Sequence, residues 1–145
     1  MRSVESRIES LKTQDYVRAF RVIQLTDNER KMLSINLAAP RHAITAQRMA
    51  IAMGFANHKG ANRHYGLLAG KICRELDVAP KQKVSVLVSF EKPFGSGWKW
   101  ILRKPVVAAL RYLRITIAPE WRLPEEPPID LELPRFGGQV VVLDL

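Results

Sequence analysis

An apolar stripe in residues 60–76 constrains the fold of this chain more than any other feature. Its members recur at intervals of three and four residues: Tyr65, Leu68, Ala69, Ile72, Cys73 and Leu76. At about 100° per residue, this spacing places all of them on one side of a helix. The sequence therefore predicts a long amphipathic helix from about Gly60 to Leu76, with the stripe against a hydrophobic core.

Shorter helical patterns come before this stripe. Candidate N-caps, the residues whose side chains bond the first free amides of a helix, are Thr26 or Asp27 and then Thr45, and Gly54 is a natural C-terminal stop. The predicted elements are helices over 15–25, 27–38 and 45–54, with loops over 40–44 and 55–59. Residues 1–12 fit either a short helix or a frayed arm.

The hydrophobic period changes after Pro80. The run KVSVLVSF is rich in β-branched residues, PFGSG is a turn signal, and WKWIL follows, which predicts a β-hairpin with about five residues in each arm. A further helix is expected from Pro105, and RITIA is compatible with a returning strand. The proline-rich stretch from Pro119 predicts an extended tail, in which VVVLDL could add an edge strand.

The charge is strongly basic and unevenly distributed. The formal net charge of the 145 residues is +9, which suits nucleic acid first, an anionic membrane surface second and simple solubility third. Residues 1–118 hold 21 Lys and Arg against 8 Asp and Glu, whereas residues 119–145 hold 2 against 6. A basic body thus carries an acidic tail.

Cysteine content and hydropathy favour a cytoplasmic protein. The single Cys73 excludes an internal disulfide and a multi-cysteine zinc site. The N-terminus lacks an apolar signal core, and no apolar run approaches the roughly 20 residues that span a bilayer. We therefore expect a soluble, intracellular protein and do not expect a membrane among its partners.

The order of these elements predicts an α+β protein: a mainly helical winged helix-turn-helix with a C-terminal β-hairpin wing and an extended acidic Pro-rich tail. The expected organisation is an N-terminal helical arm over 1–24, the winged domain over 25–118 and the tail over 119–145. In such a fold, helix 60–76 enters the major groove of duplex DNA and hairpin 84–102 reaches the backbone or the minor groove. Double-stranded DNA is therefore the expected partner.

Polar residues near the start of helix 60–76 are the leading candidates for DNA contact. Cationic side chains neutralise phosphates or bond guanine, and asparagine can pair with adenine. The candidates for DNA contact on this helix are His58, Lys59, Asn62 and Arg63, with Lys71 and Arg74 as phosphate contacts. The alternative is that a charged face opposite an apolar stripe is simply solvated, and that Asn62 caps the helix or satisfies a loop carbonyl.

Aromatic and basic residues alternate in the hairpin. Lys92 and Lys99 are candidate phosphate contacts, and Phe94 at the tip is a candidate for external contact. Trp98 and Trp100 could stack on bases or form a pocket. Because they lie on one face of a strand, packing against the helices is the simpler explanation.

The run ITAQRMAIAMGFANHKGANRHYGLLAGKICREL, followed by VSVLVSF and GSGWKWILRKPVVAALRYL, resembles winged-helix modules that accompany HNH-type nucleases in bacterial restriction proteins. The resemblance covers roughly residues 25–115. It implies binding of duplex DNA, a bacterial or phage source, and a nuclease or other protein partner. It also implies that Asn62 lies on the reading element and that Trp98 or Trp100 forms a modified-base pocket that senses methylation.

The chain departs from such proteins because it carries no nuclease core. Its histidines are not joined by a dense set of Asp, Glu or Cys, and His58 and His64 fall on different faces of a helix. Cys73 lies in the apolar stripe, where a thiol is usually inert. We therefore expect no enzymatic activity, no metal and no cofactor. The oligomeric state stays open.

Two other classes of function compete with DNA binding. A protein–protein interaction adaptor could use the winged body or the Pro-rich tail, which could lie along a groove of another protein. An RNA-binding role is a third alternative. The charge split adds a regulatory hypothesis, in which the acidic tail screens the basic surface of its own domain.

If the acidic tail screens the basic surface, deletion of residues 119–145 should tighten the binding of duplex DNA, because it removes six carboxylates and only two cations. Fluorescence anisotropy of a labelled duplex with the full chain and with the truncated chain measures the effect. Equal affinity of the two proteins would contradict the screening hypothesis.

Overall fold

The computed structural model describes residues 4–92 and 98–115. This part of the chain contains six α-helices, two 3₁₀ turns and three short strands. The helices are α1 Val4–Glu9, α2 Thr13–Val22, α3 Asp27–Ala38, α4 Ala46–Met53, α5 His58–Leu76 and α6 Lys104–Tyr112. The strands are β1 Ala43–Thr45, β2 Val88–Glu91 and β3 Lys99–Leu102, and the 3₁₀ turns are Pro40–His42 and Lys83–Val86.

The described part is mainly helical with a small antiparallel sheet, which confirms the predicted α+β class. Strand β3 is central, with β1 on one side and β2 on the other. Ala43 lies opposite Ile101 in the first pair, and Val88 lies opposite Leu102 in the second. Phe94 and the hairpin tip, residues 116–118 of the RITIA segment and the tail 119–145 lie outside the described residues.

Capping interactions fix the start of α3 and both ends of α4 where the sequence predicted them, whereas the helix predicted over 15–25 is observed as Thr13–Val22. The Thr26 hydroxyl accepts a hydrogen bond from the Glu29 amide at 3.1 Å, and the Glu29 carboxylate accepts one from the Thr26 amide at 2.9 Å. This reciprocal pair is a capping box at the start of α3. Thr45 caps α4 with a single hydrogen bond, in which its hydroxyl accepts from the Arg48 amide at 3.0 Å, and α4 ends at Gly54, whose φ of 77° suits glycine.

Helix α5 starts two residues earlier than predicted. Asn57 is its N-cap, because the side-chain oxygen of Asn57 accepts a hydrogen bond from the Lys59 amide at 2.9 Å. His58 and Lys59, which the sequence assigned to a turn, are therefore helical. The interpretation of Asn62 as the cap is wrong.

Strand β1 and the 3₁₀ turn before β2 also differ from the prediction. Residues 40–44 were expected to be a loop, but Ala43–Thr45 pairs with β3. Residues 83–86 were expected to be strand, but they form a 3₁₀ turn because side chains take their backbone carbonyls: Tyr16 donates its hydroxyl to Val86 O at 2.6 Å, and Arg103 Nε donates to Ser85 O at 2.7 Å. Strand β2 therefore begins only at Val88, which lies opposite Leu102 at the end of β3.

A buried amide joins the helices to the sheet. Asn36 has no exposed surface, and its Nδ2 donates to His42 O at 2.9 Å and to Trp100 O at 3.3 Å. Its Oδ1 accepts a hydrogen bond from the Tyr65 hydroxyl at 2.8 Å. Helix α3, the turn before β1, strand β3 and helix α5 therefore meet at one side chain.

None of the helices in residues 4–92 and 98–115 has the length and apolar character needed to cross a membrane.

Substitution of Asn36 by Ala should lower the free energy of unfolding by about 2–4 kcal/mol, because it leaves the buried Tyr65 hydroxyl without its acceptor and removes the side-chain donor to two backbone carbonyls. Urea denaturation followed by circular dichroism measures the change. Asn28→Ala in the exposed face of the same helix is the matched control, with an expected change under about 0.5 kcal/mol. Equal changes in the free energy of unfolding for the two variants would show that the buried Asn36 amide stabilises the fold no more than an exposed asparagine does.

Candidate nucleic-acid interface

The turn between α4 and α5 sets the direction of the α5 N-terminus. Phe55 packs over the first turn of α5, with its ring centroid 4.8 Å from that of His64 and an interplanar angle of 14°. A Cβ on Gly60 would lie 3.2 Å from two Phe55 carbons, which is closer than side chains normally approach. Gly60 therefore lets Phe55 lie directly against the helix backbone, and His64 is occupied by this stack.

The first two turns of α5 present the four leading candidates for DNA contact. His58, Lys59, Asn62 and Arg63 are all exposed. The first amides of a helix lack intrahelical acceptors, and Asn57 supplies acceptors for two of them: its side-chain oxygen accepts from the Lys59 amide, and its backbone carbonyl accepts from the Gly60 amide at 3.2 Å. Cationic side chains are thus concentrated at one end of α5, where the helix dipole also favours an anion.

A cavity of about 590 Å³ opens beside this end of α5, between the first turn of α4 and the β2–β3 hairpin. His58 and Asn62 line it from α5, and Gln47 lines it from α4. Phe90 from β2 and Trp98 before β3 line the side that belongs to the hairpin. Polar groups that can bond an edge of a ring therefore face aromatic surfaces that can stack on it.

The two tryptophans of the hairpin have different environments. Trp98 is 57% exposed, and the Lys92 ammonium lies 5.7 Å from the centroid of its ring. Trp100 is only 4% exposed, packs 4.8 Å from the Tyr65 ring and lies in the core, although it also lines the cavity. Packing therefore explains most of Trp100, whereas Trp98 offers an open face.

The prediction of Lys71 as a phosphate contact is corrected by the structure, because its ammonium is already paired within the protein. Its ammonium lies 2.7 Å from the Glu29 carboxylate and donates to Gln24 O at 2.9 Å. Glu29 is 3% exposed, so a buried carboxylate would lose its cation if Lys71 turned toward a phosphate. Lys71 thus joins α5 to the start of α3, while Arg74 one turn further on is exposed.

The remaining predicted contacts of the hairpin are partly accessible. Lys92 is exposed and Lys99 is half-buried on β3. Gln47, Phe90 and Gln82 also line the cavity and are not among the predicted site residues. Two of them could have been found from the sequence. The Thr45 cap places Gln47 in the first turn of α4, and Phe90 belongs to the dense group of aromatic residues in the hairpin. No sequence pattern pointed to Gln82.

Burial changes the acidity of one thiol and two phenols. Burial raises the pKa of the Cys73 thiol, against the opposing charges of Lys83 and Arg74. Burial likewise raises the pKa of Tyr65 and of Tyr16. All three groups are therefore neutral near pH 7. Within residues 4–92 and 98–115, no three His, Cys, Asp or Glu side chains gather into a metal-binding group.

Comparison of the chain with protein families, with curated proteins and with solved structures finds no match.

Proposed function

We propose that this protein is a non-enzymatic module that binds double-stranded DNA. The observation that carries the proposal is the α5 N-terminus, where four exposed polar or cationic residues adjoin an aromatic-lined cavity. Helix α5 lies in the major groove, with Lys59 and Arg63 on phosphates or guanines and Asn62 on a base edge. Lys92 and Lys99 of the hairpin contact the backbone.

The element order supports a winged helix-turn-helix as the fold behind this function. Helix α3, strand β1, helices α4 and α5 and the β2–β3 hairpin follow one another along the chain, and β1 closes the sheet against β3. Helices α4 and α5 are the helix-turn-helix, and the hairpin is the wing. A restriction-associated role with a nuclease partner follows from the resemblance noted above.

Recognition of a modified base is part of the proposal. The exposed face of Trp98 stacks on a base at the cavity, and the neighbouring Phe90 shields a methyl group from water. Trp100 presents only the edge of its ring to the cavity, because most of the ring is buried in the core. His58 and Asn62 supply hydrogen bonds that select the ring.

A second candidate function is protein–protein interaction, favoured by a groove between helices α2 and α6. Helices α2 and α6 border a cavity of about 790 Å³, where Tyr112 and Val22 are 67% and 61% exposed. Arg21 lies 5.7 Å from the Tyr112 ring centroid, and Arg18 lines the same groove. Apolar side chains beside arginines fit an acidic segment with apolar residues in a partner protein.

Arg63→Ala should weaken duplex binding about tenfold at low salt, because the variant loses one phosphate or base contact. Fluorescence anisotropy of a labelled duplex at two or more salt concentrations measures the effect, and log affinity should fall linearly with log salt concentration. Arg111→Ala on α6 is the matched control, since it removes an exposed arginine from a different helix and should leave affinity unchanged. Absence of binding by the wild-type protein at low salt would overturn the DNA proposal and favour the adaptor.

A duplex methylated on adenine or cytosine should bind roughly fourfold more tightly than the same unmodified duplex, which is the gain expected from burying one methyl group. Trp98→Ala should abolish this preference, and Trp98→Phe should keep most of it because an aromatic face remains. The same anisotropy titration with three duplexes measures both effects. Equal affinity for all three duplexes in the wild-type protein would rule out methyl recognition and leave a general DNA binder.

A further inference from the structure

A second basic cleft lies toward the other end of α5. Its volume is about 680 Å³, and three cations from separate segments line it: Arg7 of α1, Arg74 of α5 and Lys83 at the start of the second 3₁₀ turn. Asp77 is the carboxylate-bearing residue among the described lining residues. Three positive side chains against one negative one give the cleft a net positive charge.

Gly70 lines this cleft from beneath and is itself buried. A Cβ on Gly70 would lie 3.7 Å from Lys83 Cδ, 3.8 Å from Arg74 Nη1 and 3.9 Å from Lys83 Nζ. The two cations therefore extend over one bare stretch of helix backbone. Glycine is less favourable than alanine in a helix interior, and here it leaves the space beneath the two cations without a side chain.

The third cation is held in place from the far side of the cleft. Arg7 Nη2 donates a hydrogen bond to the main-chain oxygen of Asp77 at 2.8 Å. Asp77 ends α5 with a φ of 54°, which turns the chain toward Pro80 and brings Lys83 back along the helix. One bond thus orients the Arg7 guanidinium, and its remaining N–H groups can bond another acceptor.

We propose that the cleft formed by Arg7, Arg74 and Lys83 binds a phosphate group. Guanidinium and ammonium groups from three directions match the several oxygens of a phosphate, and arginine provides paired N–H donors in a fixed fork. Arg74 was predicted as a single phosphate contact; the cleft gives it two partners that are remote in the sequence. The chemistry is the same for a backbone phosphate of DNA and for a small phosphorylated ligand.

Position favours the DNA backbone as the source of the phosphate, and this part of the inference rests on the proposed function. Gln82 lines the aromatic cavity and the adjacent Lys83 lines the cleft, so consecutive residues border both. Arg63 and Arg74 are separated by about 16 Å along the axis of α5, at about 1.5 Å per residue. A DNA duplex carries about one phosphate charge per 1.7 Å of its axis. One phosphate can therefore lie within reach of Arg63 while another lies within reach of Arg74.

The direct test is a titration of the ¹⁵N-labelled full chain with pyrophosphate at constant ionic strength, followed by NMR. The amides of Gly70, Cys73 and Lys83 should shift together. Lys83→Gln and Arg7→Gln should each weaken binding about tenfold, because each removes a charge-assisted hydrogen bond. Lys81→Gln is the matched control: it removes an exposed lysine two residues from Lys83 and should bind pyrophosphate like the wild type.

The same variants in the duplex titration distinguish the two sources of phosphate. If the phosphate belongs to DNA, Lys83→Gln weakens duplex binding and lowers the salt slope by about one, while Lys81→Gln does neither. If duplex affinity is unchanged but pyrophosphate binding is lost, the cleft serves a small phosphorylated ligand. Pyrophosphate binding without any duplex binding would refute the proposed function and support the cleft. Equal pyrophosphate binding by all variants, or none by the wild type, would overturn the inference.

Discussion

The side-chain amide of Asn36 is the interaction on which the rest of this fold depends. A buried amide has four hydrogen-bonding positions, and three are occupied here by groups from three other segments. Apolar packing alone would allow helix α3 to slide or rotate against the sheet, because dispersion and hydrophobic contacts have little directionality. Hydrogen bonds to fixed carbonyls remove that freedom, since a shifted register would leave buried polar groups without partners.

The same amide relates the two walls of the aromatic cavity. Through the Trp100 carbonyl it fixes β3, and through the Tyr65 hydroxyl it fixes the second turn of α5. The Tyr65 and Trp100 ring centroids then lie 4.8 Å apart, so helix α5 and the hairpin are in direct contact in the core. Trp98 and Asn62 lie outside this contact, on either side of the opening. The geometry of the candidate interface is thus a consequence of the core, and its exposed residues can vary without disturbing the fold.

The sequence predicted local features well and long-range ones poorly. The caps at Thr26 and Thr45, the stop at Gly54 and the stripe of α5 depend on residues within a few positions of each other, so their patterns are visible in the chain. Strand β1 has three residues and exists because β3 lies beside it, which no local pattern records. The 3₁₀ turn at Lys83–Val86 replaces the expected strand because Tyr16, 70 positions from Val86 in the chain, takes its carbonyl.

The basic character of α5 illustrates why charge counts overestimate binding surfaces. Arg63, Lys71 and Arg74 look equivalent in the sequence, since all are cations off the apolar stripe. In the structure, the Glu29 carboxylate neutralises Lys71. The same carboxylate caps α3, and nothing in the sequence indicates that it also pairs with a lysine of α5. Arg74 is grouped with Lys83, which comes from another segment, and Arg63 stands at the exposed N-terminal end. The helix therefore carries separate electrostatic sites with different neighbours, and only tertiary contacts decide which of its charges face a ligand.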